Sequence, residues 1–251
     1  MSKVIIENRG SVAILRLNNE VINAVSSLLT NDLSETLNKV RNEFQGIILV
    51  GGEKFFSIGF DLPELLKLDR DGMTEFYYKF NHLVFDLFTL PLPTVCAISG
   101  HAVAGGNILA LTCDYRFAAS GKKLIGLNEV KLGVPVPYLA DLMLREIVGE
   151  RAATEMLYHG ELLSISDAKQ IGLIDEVFPQ EMLEDRALAK ASELAALPCS
   201  AFSEIKANRV EAIRSRYEKN YRSKHEDFLD CWFSPAAQEL LGEASKKFIK
   251  S

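Results

Sequence analysis

The hydrophobic positions change period several times along the chain, and each change marks an element. Residues 4–7 and 12–17 are short β-rich runs on either side of Asn8-Arg9-Gly10 and predict a hairpin. Leu28, Leu29, Leu33, Leu37 and Val40 then recur at helical spacing within residues 26–44. The run GIILV at 46–50 is apolar throughout, the pattern of a strand covered on both faces. A loop at 51–61 leads to a short helix at 62–68 and a longer one at 74–90, rich in Phe and Tyr and ended by Pro91 and Pro93. A second buried strand at 94–98, a turn, a helix from Gly105 and a strand at 115–118 repeat the pattern. Such strand–helix repetition predicts a mostly parallel α/β core.

After residue 195 the strand signal disappears. The spacing predicts three helices, at 200–217, 221–232 and 236–248, with Pro235 in the first turn of the last. Residues 1–195 are therefore expected to form an α/β core and residues 196–251 a helical region packed tightly on it, since no low-complexity linker separates them.

Composition narrows the function classes. The 251 residues are 48% hydrophobic and 25% charged, as in a soluble globular protein, with a net charge of −6. An acidic chain has no general attraction for phosphate backbones, which disfavours nucleic acid as a partner. Cys96, Cys113, Cys199 and Cys231 form no CxxC and have no nearby His to complete a zinc pattern. Two of them lie in apolar runs and read as buried thiols of a reducing compartment. The start of the chain lacks the apolar core of a secretory signal. The apolar stretch 83–113 is broken by Asp86, Pro91, Pro93, His101 and Asn107 and does not read as a membrane span. The closing Ile249-Lys250-Ser251 is not a peroxisomal tripeptide. The expected location is cytoplasmic.

Three segments carry candidate chemistry. In FFSIGFDL at 55–62, Gly59 permits an unusual backbone angle between a strand and a helix and turns the Phe60 amide into the loop. In Ala104-Gly105-Gly106 two glycines open a helix, whose first amides are unpaired and carry positive dipole character. Either could equally be a tight structural turn, and the second does not fit GxGxxG. Glu129 stands in an otherwise apolar run. It fits a carboxylate whose raised pKa suits proton transfer, or an edge residue paired with Lys122, Lys123 or Lys131. An anion hole beside a lone base suits chemistry on a carbonyl and its α-carbon. Ser57, Ser99 and His101 lack the context of a serine-hydrolase triad. Asp114-Tyr115-Arg116 reads as structural, and Lys246 and Lys247 as a solvated helix end.

Taken together, these segments resemble the crotonase, or enoyl-CoA hydratase/isomerase, superfamily. The match includes Asn23-Ala24, FFSIGFDL at 55–62, SGHAVAGGNILALTCDYR at 99–116, IGLNEVKLGVPVP at 125–137 and SISDAKQIGLIDEVFP at 164–179. The resemblance implies an α/β spiral of repeated β-β-α units with a C-terminal helical region, assembled as a homotrimer or a dimer of trimers. It implies that the amides of Phe60 and Gly105 bind the thioester oxygen of an acyl-CoA. Ser57, Ile58, Asp61 and Leu62 would line the substrate path, with Ala24 and Ile108 completing it. Coenzyme A would be the carrier part of the substrate, with no metal or redox cofactor and no membrane or nucleic-acid partner.

Hydratases of the superfamily use two glutamates. The first corresponds to Ile108 here and the second to Glu129. One carboxylate facing an apolar residue is poorly equipped to add water, but it can move a proton from C2 to C4. The resemblance is therefore strongest to Δ3,Δ2-enoyl-CoA isomerases, with Glu129, Phe60 and Gly105 as the catalytic groups. Alternatives on the same scaffold are a hydratase, a decarboxylase or a thioester hydrolase. An alternative of another class is a non-catalytic acyl-CoA-binding or RNA-binding scaffold. The side chains expected to shape the acyl pocket are Tyr78, Phe85, Tyr138 and those of the helical tail.

Overall fold

The structure, a computed structural model, describes residues 2–248; the terminal tripeptide lies outside the described residues. The hairpin forms as expected: β1 (Val4–Arg9) pairs antiparallel with β2 (Val12–Leu17), Val4 opposite Leu17. Helix α1 (Ser27–Val40) is capped by the Ser26 hydroxyl, which accepts from Leu29 N, and buries Leu29, Leu33, Leu37 and Val40 on one face. Each such side chain contributes about 1.5–3 kcal/mol through its burial. Next come β3 (Gly46–Val50), β4 (Phe55–Ser57), α2 (Leu62–Leu65) and α3 (Arg70–Phe88). They lead to β5 (Thr94–Ile98), β6 (His101–Val103), α4 (Gly105–Leu111), β7 (Tyr115–Ala119) and β8 (Leu124–Gly126).

From β3 to β8 successive strands alternate between two sheets, which gives the fold its spiral course. The six-stranded sheet runs β1-β2-β3-β5-β7-β10, with β10 at Glu176–Phe178. The four-stranded sheet runs β4-β6-β8-β9, with β9 at Leu163–Ser164. β2, β3, β5, β7 and β10 pair in parallel, as do β4, β6 and β8. The fully apolar β3 and the largely apolar β5 lie in the middle of the larger sheet, every residue buried. After a 3-10 turn at Glu129–Leu132 come α5 (Tyr138–His159), α6 (Ile165–Gln170) and α7 (Leu183–Ala195).

The helical region departs from expectation. Residues Cys199–Trp232 form one continuous helix, α8, followed by α9 (Pro235–Phe248), so the expected break at 218–220 does not occur. Glu218-Lys219-Asn220 contains no Gly or Pro to interrupt the backbone hydrogen bonds, and Arg214–Glu218 pairing spans the turn. Val210, Tyr217, Phe228, Trp232, Ala237 and Leu241 share the core of the α/β part, so the two regions bury one common interior. Near its start, α8 is anchored by Lys206, whose buried ammonium donates to Asp114 (2.7 Å) and to the Leu92 carbonyl (2.8 Å). Asp114 also pairs with Arg209, and the buried Arg116 guanidinium pairs with Asp175. The Asp114-Tyr115-Arg116 segment is thus structural, as expected. Among the described residues no helix is long and apolar enough to cross a membrane.

Candidate active site

The loop after β4 is shaped by one glycine. Gly59 has φ +90°, and its amide donates to the Ser57 hydroxyl at 3.2 Å. Val25 and Phe60 form an isolated parallel bridge. Val25 N donates to the Gly59 carbonyl (2.7 Å), and Asp61 N donates to the Val25 carbonyl (3.1 Å). Alternation along an extended strand turns the intervening Phe60 amide to the opposite side. Asp61 then caps α2 by accepting from Glu64 N at 3.1 Å.

The second turn lies alongside. Ala104 has φ +50° and ψ −121°, a sparsely populated conformation for a residue with a Cβ, and directs the chain into α4. Gly105 opens that helix, so its amide has no intrahelical acceptor. A Cβ on Gly106 would lie 2.2 Å from the Ser57 carbonyl oxygen, and one on Gly59 would lie 2.9 Å from the Gly105 amide nitrogen. The two loops are therefore in direct contact, and the amides of Phe60 and Gly105 belong to adjoining segments of one wall.

Glu129 begins the 3-10 turn after β8, and its carbonyl accepts from Val134 N at 3.2 Å. It is only 6% exposed, and its Oε2 has no hydrogen-bond partner among the described residues. Burial pushes its pKa up to about 8, partly offset by a hydrogen bond from its own amide. Salt-bridging to a neighbouring lysine does not occur: Lys131 pairs with Glu161, and Lys123 donates to the Gln180 side chain. A carboxyl poised this way exchanges protons near neutral pH.

Phe60, Gly105 and Glu129 line one cavity of about 330 Å³. Ile58, Leu62 and Ile108 line it as well. Ala24, Ser57 and Asp61 do not; they sit behind the wall, where Ala24 O accepts from Asn19 and the other two make the turn bonds described above. Among the described residues, Glu129 is the sole ionisable group on the cavity surface.

Tyr78, Phe85 and Tyr138 do not line this cavity. Tyr78 is exposed on α3, Tyr138 borders an adjoining groove, and Phe85 stacks on Tyr217 at 5.4 Å. The apolar walls come instead from Phe228 and Trp232 of α8 and from Leu241 and Ala244 of α9. The helical tail was expected to shape the pocket, but these residues were not singled out from the sequence, although their i,i+4 and i,i+3 spacings mark one face of each helix. Asn128 also lines the cavity unanticipated. His101 opens β6 and does not line the cavity; its Nδ1 accepts from Leu124 N at 3.0 Å.

Two apposed loops that offer main-chain amides to a cavity with one buried carboxylate, set on a two-sheet spiral, define an enzyme of the crotonase type. The profile of the enoyl-CoA hydratase/isomerase family matches residues 7–246, and the chain belongs to that family. The chain is 34% identical over 209 residues to human mitochondrial enoyl-CoA delta isomerase 1, covering 82% of this chain and 69% of that one. It is also 34% identical to mouse mitochondrial methylglutaconyl-CoA hydratase, over 75% of this chain and 61% of the relative. The crystal structure of human mitochondrial Δ3,Δ2-enoyl-CoA isomerase superposes with a TM-score of 0.95 at 30% identity, covering 99% of this chain and 98% of that one.

Proposed function

We propose that the protein shifts the double bond of a 3-enoyl-CoA into conjugation, giving the trans-2-enoyl-CoA. The substrate's thioester oxygen is held by the amides of Phe60 and Gly105. Glu129 takes the proton from C2, and the electron pair left behind delocalises through the carbonyl and the C3–C4 double bond as a dienolate. The two amides meet the charge that develops on oxygen; each such donor is worth about 3–4 kcal/mol in the transition state. Glu129 then returns the proton to C4, so that C2–C3 becomes the double bond and the carboxylate is regenerated.

The observation that carries this reading is the single carboxylate. Hydration needs one group to activate water and another to protonate carbon, and the cavity offers only Glu129, with the apolar Ile108 also on its wall. The name of the human relative points the same way, while that of the mouse hydratase shows that relatives of equal identity differ in reaction. No metal or redox group enters this scheme, and coenzyme A takes part as the carrier of the acyl group. The assembly that accompanies this function is a homotrimer or a dimer of trimers, read by light scattering as three or six times the 27.9 kDa chain mass.

The deciding experiment is incubation with 3-enoyl-, 2-enoyl- and 3-hydroxyacyl-CoA thioesters, with the products identified for the wild type and for Glu129→Gln. Conversion of 3-enoyl- to 2-enoyl-CoA, lost in the variant while acyl-CoA binding persists, is the expected result. Rapid formation of 3-hydroxyacyl-CoA from crotonyl-CoA would refute the argument from Ile108.

A further inference from the structure

Six of the seven buried polar side-chain atoms without partners among the described residues belong to Tyr77, Asn107, Asn128, Glu129 and Trp232; the seventh is Thr30 Oγ1. Buried polar atoms are almost always satisfied, by protein or by ordered water. Two of these atoms are complementary. The Tyr77 hydroxyl is a donor on a residue only 1% exposed, and Glu129 Oε2 is an acceptor.

Tyr77 lies one side chain behind the cavity. Its ring stacks on Phe228 with centroids 3.9 Å apart, and Phe228 forms part of the wall that Glu129 shares. Val134, which donates its amide to the Glu129 carbonyl, lines both that cavity and the groove bordered by Tyr77. Asn81, one turn further along α3, gives its amide to the Tyr77 carbonyl at 2.8 Å. Burial foremost raises the pKa of the Tyr77 hydroxyl, opposed by the nearby Asn81 side chain and assisted to a smaller extent by Tyr217 and then Glu129, so it remains a donor across the working pH range.

We propose that the Tyr77 hydroxyl holds Glu129 Oε2 through one buried water, making Tyr77 a positioning residue for the base. The water accepts from Tyr77 and donates to Glu129, and the unpartnered Asn128 Oδ1 beside Glu129 gives its second hydrogen an acceptor. Three bonds of this kind are typical of a structural water. A donor to the carboxylate favours its ionised form and opposes the effect of burial, which keeps the base available near neutral pH. The inference rests on the reading of Glu129 as the base.

Few other charges bear on this pair. On Glu129's own turn Lys131 is paired with Glu161, and on α5 Asp141 is paired with Arg145. Glu239 and Glu243 of α9 are exposed, and Lys224 and Asp227 of α8 pair with each other at the surface. Tyr77 itself faces His225 (centroids 4.9 Å), Tyr78 adjoins it on α3, and the Tyr217 hydroxyl lies 3.3 Å from His225 Nε2. Burial holds the His225 pKa at about 4, so that ring stays neutral while Glu129 titrates.

The test reads Glu129 directly, without turnover. The infrared carboxyl band present in the wild type and absent from Glu129→Gln is titrated in the wild type and in Tyr77→Phe, which keeps the ring and its stacking. Removal of the hydroxyl should move the midpoint up by about one pH unit. It should also lower kcat near neutral pH severalfold at an unchanged KM for 3-enoyl-CoA. An unmoved midpoint overturns the inference. A moved midpoint in a protein inactive on 3-enoyl-CoA upholds it and removes the proposed function instead. A high-resolution crystal structure of the wild type is a second readout, independent of how the variant folds. Water bonded to both groups supports the link, and separate partners for each overturn it.

Discussion

Glu129→Gln should stabilise the folded protein while removing its activity, and the size of the effect follows from burial. In the unfolded chain the carboxyl titrates at its ordinary 4.5, whereas in the fold it titrates at about 8. Between these values the folded form holds a proton that the unfolded form has released, so stability falls as pH rises. The favourable contribution is complete below pH 4.5 and is lost as pH climbs through about 8. The difference, 8 less 4.5, corresponds to about 5 kcal/mol at most. Water entry and the hydroxyl link proposed above reduce this, leaving a few kcal/mol. A neutral glutamine of the same shape has no such pH-dependent cost. Urea unfolding of both proteins at pH 5 and pH 9 tests this. The variant should gain on the wild type by a few kcal/mol on going to the higher pH. Equal changes in the two proteins would show that Glu129 is solvated or paired, and the account of a desolvated base would fail.

Other perturbations probe other parts of the site. Gly106→Ala drives a Cβ to 2.2 Å from the Ser57 carbonyl; separating the two loops should lower kcat by a hundredfold or so, in keeping with loss of an oxyanion donor, and lower the melting temperature. Lys206→Met leaves the Asp114 carboxylate with Arg209 but without its buried partner; a stability loss of about 3–5 kcal/mol is expected in urea titration. Ile108→Glu places a second carboxylate on the cavity wall, and measurable hydration of crotonyl-CoA should appear where the wild type shows little. The rate of isomerisation in the wild type should increase from pH 6 to 8, as Glu129 ionises, and a flat profile would contradict its role as base.

Much of the architecture was legible in the chain. Residues 46–50 and 94–98 were bounded correctly because an apolar run of strand length between turns has few other readings, and the glycine pair fixed the start of α4. The polar atoms of the site were legible because each sits at a local irregularity: a glycine angle, a helix start, a charge among apolar residues. The apolar wall was not. Phe228 and Trp232 lie more than a hundred residues after Gly105 and reach the cavity through the packing of α8 on the core, which no local pattern reveals. Both fall within the expected helix at 221–232, where an i,i+4 aromatic pair reads as ordinary core. Tyr77 was lost for a related reason: an aromatic on an amphipathic helix looks like ordinary core until its hydroxyl is found without a partner.

The two groups that face the thioester oxygen in the proposed reaction are peptide N–H groups, and side-chain substitution cannot delete them. Only proline at 60 or 105 would abolish either donor outright. Mutational drift can thus exchange the residue at 108, and with it the fate of the enolate, while the amides that stabilise the enolate endure. A cradle written into the main chain lets a lineage alter its product without first losing its grip on the reactant.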